Sequence, residues 1–332
     1  MTMKYLSNAC VRRGSLLSVL FYMTVLMSGC VDGGGDNSVK ETVSWEKTNI
    51  RGEPTLRYTD NSNKWPRVCG ATALYPLYAS AYRYLIPGDN HQDPGLNYMY
   101  PTRTPEAYND LIKRQADVIF VAQPSAGQKQ RAADAGVKLV YTPFAHEAFV
   151  FIVNASNPVS SLTEQQVRDI FSGKITRWSQ VGGGDERIQV WQRPEDSGSQ
   201  TVMLAKVMKE TPMLPARTST EVSLMNGVLT KVIAYRNTQP SIGYTFLYYV
   251  TQMNKDISSN LKLLAINSIA PTVENIRNGT YPYVVDAYMV TREKPTPETQ
   301  KLVDWFLSPQ GQSLVEDVGY VPLYKTLSDN NQ

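Results

Sequence analysis

The feature that most constrains the fold of this chain is a strand–turn–helix unit that occurs three times, over residues 67–85, 117–135 and 187–208. In each unit an apolar run gives way to a turn of small or polar residues and then to apolar residues spaced three or four apart. Strands that alternate with helices pack as layers. The sequence therefore predicts an α/β fold with mainly parallel sheets flanked by helices.

The turn of the third unit reads Arg-Pro-Glu-Asp-Ser-Gly-Ser over residues 193–199. A helix that starts here presents unpaired backbone N–H groups and the positive end of its dipole, which favour an anion. Arg193 adds a planar set of donors that matches a carboxylate, phosphate or sulfate. The alternative is a solvent-exposed loop in which Ser197 or Ser199 only caps the helix.

Two further helix starts carry a threonine. Thr72 lies in a Gly-Ala-Thr turn, and Thr104 precedes Pro105 and Glu106, which predicts Thr104 as the cap of a helix. Both hydroxyls could bind an anion together with nearby N–H groups, or could serve as ordinary caps.

The middle of the chain allows two more local predictions. Ser161 with Glu164 fits a capping box and predicts a helix over residues 161–173. Separate strands are expected at residues 137–141 and 147–153.

The charge balance excludes one class of partner. The chain has 332 residues, enough for two domains, and a formal net charge of +3. This excess lies in Lys4, Arg12 and Arg13, because the remainder carries equal numbers of acidic and basic residues. Bulk charge therefore gives no support for nucleic-acid binding.

The N-terminus has the pattern of a signal peptide over residues 1–29, with a basic start and an apolar run from Leu16 to Met27. It resembles a bacterial lipobox, in which Cys30 would be lipidated, as by palmitate, and become the mature N-terminus. Residues 30–65 are then expected to be a flexible tether. An uncleaved anchor helix is the alternative, and either arrangement predicts an extracytoplasmic, membrane-anchored protein. Cys69 would remain as a buried core residue.

Several stretches together carry a family resemblance. They are Gly70-Ala71-Thr72 with Pro76, TEQQVRDIFSGKITRW at 163–178, RPEDSGS at 193–199, Ile-Gly-Tyr at 242–244 and WFLSPQG at 305–311. In this order they resemble the phosphate-binding proteins of high-affinity phosphate ABC transporters, within the type II periplasmic-binding-protein superfamily.

The resemblance implies a two-lobed protein that closes around one oxyanion. Lobe 1 would comprise residues 66–150 plus 280–325 and lobe 2 residues 151–279, joined by two hinge strands at 149–153 and 284–289. The implied phosphate-binding residues are Thr72, Ala73, Thr104, Arg193, Ser197, Gly198 and Ser199. Implied partners are inorganic phosphate and the permease of an ABC transporter. The protein is expected to be a monomer without a metal or cofactor.

The sequence departs from the family where an aspartate usually follows the strand that begins at Asp117. Ala122 and Gln123 stand there instead. A carboxylate accepts a hydrogen bond from hydrogen phosphate and repels sulfate, whereas an amide can donate or accept. Discrimination against sulfate then needs another acceptor, for which Glu147, Glu195 and Asp196 are the candidates. Arg103 could supply a second cation, or could be an ordinary surface residue.

The leading hypothesis is thus a tethered receptor that is not an enzyme. A receptor for sulfate or arsenate, or a sensor or adhesive lipoprotein with a modified site, remains open. A hydrolase with Ser197 or Ser199 as nucleophile would need His91 or His146 as its base. There is no Gly-x-Ser-x-Gly motif and no His/Cys cluster for zinc.

Overall fold

The computed structural model describes residues 50, 52–59, 64–86, 99–216, 219–234 and 240–329. The predicted signal peptide, Cys30 and the tether up to residue 49 lie outside the described residues. Within the described ranges, no helix combines the length and the apolar character needed to cross a membrane.

The first part of the chain alternates strands and helices, as the repeated units predict. Its elements are β1 (Val68–Ala71), α1 (Tyr75–Leu85), β2 (Met99–Thr102), α2 (Thr104–Ile112), β3 (Val118–Val121), α3 (Ala126–Asp134) and β4 (Leu139–Asn154).

Shorter elements make up the middle of the chain, and longer ones follow towards its end. They are β5 (Ser161–Leu162), α4 (Glu164–Phe171), β6 (Gln189–Val190), α5 (Gly198–Val202), α6 (Met225–Ala234), β7 (Ser241–Phe246), α7 (Lys255–Ser258), β8 (Leu261–Leu263), β9 (Ala265–Ile266), α8 (Val273–Arg277), β10 (Val284–Arg292), α9 (Pro297–Leu307), α10 (Pro309–Val318) and β11 (Val321–Pro322). A π-helical segment, Met203–Met208, continues α5.

The sheet is parallel at its outer strands and antiparallel at its centre. Its strand order in the described part of the chain is β2-β1-β3-β10-β4-β7-β6, with β8 and β11 also paired to β4. The pairs of β1 with β2, β1 with β3, and β6 with β7 are parallel. The pairs made by β10 and β4 with their neighbours are antiparallel. The sheet is therefore more mixed than the expectation of mainly parallel pairing, because these two long strands occupy its middle.

Strand β4 passes through both parts of the sheet. Its residues 139–148 pair with β10, and residues 149–153 pair with β7. The expectation of two separate strands at 137–141 and 147–153 is therefore wrong, because the intervening residues continue the β10 ladder. Residues 148–153 are fully buried. Burial of an aromatic side chain such as Phe149 or Phe151 contributes about 1.5–3 kcal/mol.

The predicted helix over residues 161–173 begins later than expected. Ser161 and Leu162 form β5, which pairs with β9. The helix starts at Glu164, and Thr163 with Gln166 forms the capping box. The predicted Ser161/Glu164 box is wrong because Ser161 is already in the strand. Cys69 is buried in the core, as predicted.

Candidate anion-binding site

Three loops of the first part of the chain lie at one edge of the sheet. Because β1, β2 and β3 are parallel, their carboxyl ends meet there, and Thr72, Arg103 and Ala122 follow these ends directly or within one residue. The Thr72 hydroxyl donates a hydrogen bond to the Thr102 carbonyl oxygen at 3.3 Å. The carboxyl edge of a parallel sheet is the usual ligand-binding edge in open α/β folds.

The start of α2 differs slightly from the prediction. Arg103 occupies the N-cap position without a side-chain cap bond, and Thr104 is the first helical residue. The prediction of Thr104 as the cap is therefore wrong, and its hydroxyl is not used as a cap. Thr104 is nevertheless 5% exposed. A buried hydroxyl without a capping role is available to bind a ligand.

Gly198 brings the anion loop, defined as residues 193–199, against this edge. A Cβ placed on Gly198 would lie 2.8 Å from Thr104 Oγ1 and 3.3 Å from Ala122 Cβ. Only a residue without a side chain allows this approach. Gly198 thus meets residues that are 94 and 76 positions away in the sequence.

Arg193 is buried in the anion loop, and no described carboxylate is in ion-pair contact with it. It is 5% exposed, and its Nη1 donates to the Val222 carbonyl oxygen at 2.8 Å. Its Nε is buried without a hydrogen-bond partner, and no described carboxylate forms an ion pair with it. Burial lowers the pKa of Arg193 to about 10, and repulsion from Arg103 acts in the same direction. A buried unpaired cation is costly, and an anionic ligand would compensate it.

The two serines of the anion loop have different environments. Ser197 is the N-cap of α5, and its hydroxyl accepts from the Gln200 N–H at 3.3 Å. Ser199 is 1% exposed, and its hydroxyl has no hydrogen-bond partner among the described residues. A buried hydroxyl without a partner, in the same loop as a buried guanidinium without a carboxylate contact, indicates a site for an oxygen-rich ligand.

Ala73 lies in the short 3-10 turn that precedes α1. Its carbonyl oxygen accepts a hydrogen bond from the hydroxyl of Tyr320, which directly precedes β11. Tyr320 stacks on Tyr248 with ring centroids 4.1 Å apart. The C-terminal segment therefore fixes the backbone at the first of the three loops.

Sequence reasoning missed the residues that hold the anion loop in place. The Arg193 N–H donates to the Tyr244 hydroxyl at 3.0 Å, and Tyr244 in turn donates to Gln200 Oε1. Tyr244 belongs to the Ile-Gly-Tyr stretch, but its role as an acceptor depends on a contact across 51 residues. No local pattern reports such a contact.

Among the described residues, neither Gln123 nor Arg103 is hydrogen-bonded to the anion loop. Gln123 lines a cavity of about 310 Å³ with His146, Lys206 and Asp286. Arg103 is exposed and forms an ion pair with Glu106.

The two acidic candidates of the loop, Glu195 and Asp196, do not form an ion pair with Arg193. Glu195 is exposed, and the Asp196 carboxylate is bonded to Ser125 and Arg131. Among the described residues, no carboxylate in contact with Arg193 therefore takes the place of the aspartate that the family has near position 122.

Glu147 lies in β4 and is buried. Its carboxylate accepts from the Ala148 N–H at 2.7 Å and from the Tyr248 N–H at 3.3 Å. Burial raises the pKa of Glu147 to about 8, although these N–H groups favour the charged form. The contacts of the Glu147 carboxylate are thus with backbone N–H groups, and no hydrogen bond or ion pair joins it to Arg193 among the described residues.

The raised pKa of Glu147 predicts a pH dependence of stability. The folded state binds a proton that the unfolded state releases near pH 4.5, so the free energy of unfolding falls as the pH rises from 4.5 through 8. Replacing Glu147 with glutamine should remove this fall and stabilise the protein by about 2–4 kcal/mol at pH 9. Denaturant unfolding at pH 5 and 9 measures it. The two proteins should be similar at pH 5, and an equal difference at both pH values would contradict the assignment.

The hydrolase alternative finds no support in the described residues. His146 Nδ1 lies 2.8 Å from Asp286 Oδ1, and neither Ser197 nor Ser199 is hydrogen-bonded to a histidine there. His91 lies outside the described residues. The arrangement lacks the nucleophile–base contact that acyl or phosphoryl hydrolysis needs.

The fold and the donor-rich site define a binding protein of the periplasmic type. The chain belongs to the PBP superfamily, because the model of the PBP superfamily domain matches residues 67–310. This match confirms the predicted type II α/β fold class.

Individual relatives have names that specify a ligand, whereas the superfamily model does not. The chain is 31% identical over 186 residues to the phosphate-binding protein PstS of Borreliella burgdorferi, covering 54% of this chain and 64% of the relative. It is 28% identical over 172 residues to PstS of Bacillus subtilis, covering 52% and 53%. The chain thus spans less than two thirds of the length of these relatives. Both are named as binding proteins, in agreement with the prediction that the chain is not an enzyme.

A solved structure has the same fold. It is a putative phosphate ABC transporter substrate-binding protein of Clostridium perfringens with bound phosphate. Its TM-score is 0.61 at 22% identity, and the match covers 77% of this chain and 98% of that chain.

Proposed function

We propose that this protein is an extracytoplasmic solute receptor that binds inorganic phosphate and delivers it to an ABC permease. The observation that carries the proposal is the buried Arg193 guanidinium, which has no described carboxylate in ion-pair contact and is influenced by Glu221 only at longer range. Its position in the anion loop, against the ends of parallel strands, supports an anionic ligand. The names of the relatives support phosphate as that anion.

The seven predicted ligand residues receive distinct roles. Arg193 neutralises the charge of the oxyanion, and the hydroxyls of Thr104, Ser197 and Ser199 donate hydrogen bonds. The Thr72 hydroxyl would join them by exchanging its long bond to the Thr102 carbonyl oxygen for one to the ligand. Backbone N–H groups at Ala73 and Gly198 complete the set, since both residues lie at helical starts. Together they surround a small tetrahedral ligand with donors.

Closure of two lobes is part of the proposal. Lobe 1 (66–150 plus 280–325) carries Thr72, Ala73 and Thr104, and lobe 2 (151–279) carries the anion loop. The proposed hinge is the pair of strands β4 and β10. Closure excludes water and so strengthens each charge-assisted contact.

Lipidation at Cys30, with palmitate among the acyl groups, would tether the receptor to a membrane after removal of residues 1–29. The residues after this segment carry equal numbers of acidic and basic groups, so their charge gives no support for nucleic acid as a partner. The proposed partners are phosphate and the permease. The receptor is proposed to act as a monomer.

Phosphate titration of the purified protein tests the proposal directly. Tryptophan fluorescence or calorimetry should give saturable one-to-one binding at micromolar phosphate. Chloride at equal ionic strength is the control. Absence of saturation up to millimolar phosphate would overturn the proposed ligand.

A second candidate, a receptor with little preference between phosphate and sulfate, is favoured by Ala122. Among the described residues, no carboxylate contacts the guanidinium of Arg193 or the hydroxyl of Ser199. Hydroxyls can donate to sulfate as well as accept from hydrogen phosphate, so a site without an acceptor-only carboxylate discriminates less between the two anions.

Replacing Ala122 with aspartate should therefore create phosphate selectivity. Its carboxylate would lie beside Gly198 and repel sulfate, and like-charge contacts cost several kcal/mol. We expect the ratio of phosphate to sulfate affinity to rise at least about 10-fold. Gln123→Asp is the matched control, since Gln123 lines the cavity with Lys206, and it should change the ratio less. An unchanged ratio in Ala122→Asp would contradict this account.

A further inference from the structure

Asp196 lies inside the anion loop but bonds to a helix of the first part of the chain. Its Oδ1 accepts from the Ser125 hydroxyl at 2.6 Å, and its Oδ2 accepts from Arg131 Nη2 at 2.7 Å. Both partners belong to α3 or its cap. The carboxylate thus connects segments 65 and 71 residues apart.

Both the carboxylate and the backbone of Asp196 are hydrogen-bonded to α3 or its cap. Gln128, which is fully buried, donates from Nε2 to the Asp196 carbonyl oxygen at 3.0 Å. Gln128 also forms the capping box of α3 with Ser125. The partners of Asp196 are therefore held by their own helix, and little side-chain freedom is lost when the contact forms.

Closely packed backbone accompanies the polar contact. A Cβ on Gly127 would lie 3.4 Å from Asp196 Oδ1, which is ordinary contact distance. Although burial acts to raise it, hydrogen bonds from Ser125 and Arg131 hold the pKa of Asp196 below its usual value. Asp196 is therefore charged at neutral pH and forms charge-assisted bonds.

We propose that Asp196 is a positioning residue that clamps the anion loop to α3 and so slows the release of phosphate from the closed protein. The inference rests on the proposed function, and it adds a role for Asp196 that the ligand residues do not supply. With Gly198 packed on Thr104 and Ala122, the clamp fixes the loop at a second point across the proposed cleft.

This role differs from that of a selectivity acceptor. Both carboxylate oxygens of Asp196 are occupied by Ser125 and Arg131, so neither is left to bind the proton of a phosphate. Loss of the clamp should shift the equilibrium from the closed towards the open form. Phosphate should then dissociate faster.

Stopped-flow phosphate binding tests the clamp in three variants. Asp196→Asn and Arg131→Gln should each raise the dissociation rate about 10-fold, with the association rate changed less than about 2-fold. The dissociation rate of the double variant should exceed that of either single variant by less than about 2-fold, because the two residues form one contact. Glu195→Gln is the matched control. It neutralises the adjacent exposed acid and should leave both rates unchanged.

The outcomes separate the clamp from the proposed function. If the unmodified protein does not bind phosphate, the proposed function fails. If it binds, but Asp196→Asn behaves like Glu195→Gln, the clamp is refuted. Small-angle scattering without ligand gives an independent measure, in which Asp196→Asn should be more open than Glu195→Gln. Equal scattering profiles would also refute the clamp, and additive rate effects in the double variant would refute the Asp196–Arg131 contact as its basis.

Discussion

Replacing Arg193 with glutamine is expected to weaken phosphate binding by about 10²-fold or more, because removing one partner of a buried charge pair costs about 3–5 kcal/mol. The guanidinium has one protein acceptor, the Val222 carbonyl oxygen, and its buried Nε is unpaired among the described residues. A bound oxyanion would satisfy these donors. The neutral amide is shorter and carries no charge, so it cannot replace them.

Stability without ligand should respond differently from affinity. Because the unpaired guanidinium is costly to bury, Arg193→Gln should not lower the melting temperature of the ligand-free protein. The increase in melting temperature that phosphate produces should disappear. Isothermal calorimetry and thermal unfolding, each with and without phosphate, measure the two effects.

Arg103 provides the matched control for Arg193. It is the neighbouring arginine, but 52% of its side chain is exposed and it is paired with Glu106. Arg103→Gln should weaken binding less than about 10-fold, since exposed ion pairs contribute little. An affinity for Arg193→Gln within about threefold of the unmodified protein would show that the guanidinium is not a ligand.

Replacing Gly198 with alanine is expected to weaken phosphate binding by about 10- to 100-fold, since overpacking a close contact costs about 1–3 kcal/mol. The added methyl would lie 2.8 Å from Thr104 Oγ1 and 3.3 Å from Ala122 Cβ. Both neighbours belong to the other side of the proposed cleft. The methyl should therefore hold the halves apart while leaving each half folded.

Thr104 offers a way to separate this steric effect from damage to the loop. In a Thr104→Ala background the obstructing Oγ1 is absent, so Gly198→Ala should weaken binding much less than in the unmodified protein. Calorimetric titration of the four proteins in this cycle gives the coupling. An equal loss in both backgrounds would mean that the methyl acts within its own loop.

The sequence was informative where function depends on local backbone geometry. The anion loop and the Thr72 turn were predictable because strand ends and helix starts carry short-range signals in small, polar and capping residues. The three loops converge because β1, β2 and β3 are parallel, and parallel strands place their carboxyl ends together.

Local patterns failed where two of them overlapped or where a distant partner decided the outcome. Residues 161–166 contain both Ser-x-x-Glu and Thr-x-x-Gln, and the pairing of Ser161 with Ala265 selects the second. The sequence shows only that Asp196 carries a carboxylate near the anion loop's arginine, and this made it a candidate acceptor for phosphate. Its bonds to Ser125 and Arg131 depend on how the chain folds back over 65 residues or more.

Strand β4 is continuous for 16 residues and contributes to both parts of the sheet. A continuous hydrogen-bonded ribbon resists stretching but can twist and bend about its axis. Under the proposed two-lobe arrangement, release of the ligand would then be a flexure of this ribbon, with the ladder to β10 intact. The angle between the proposed lobes would accordingly be set by the curvature of this one strand.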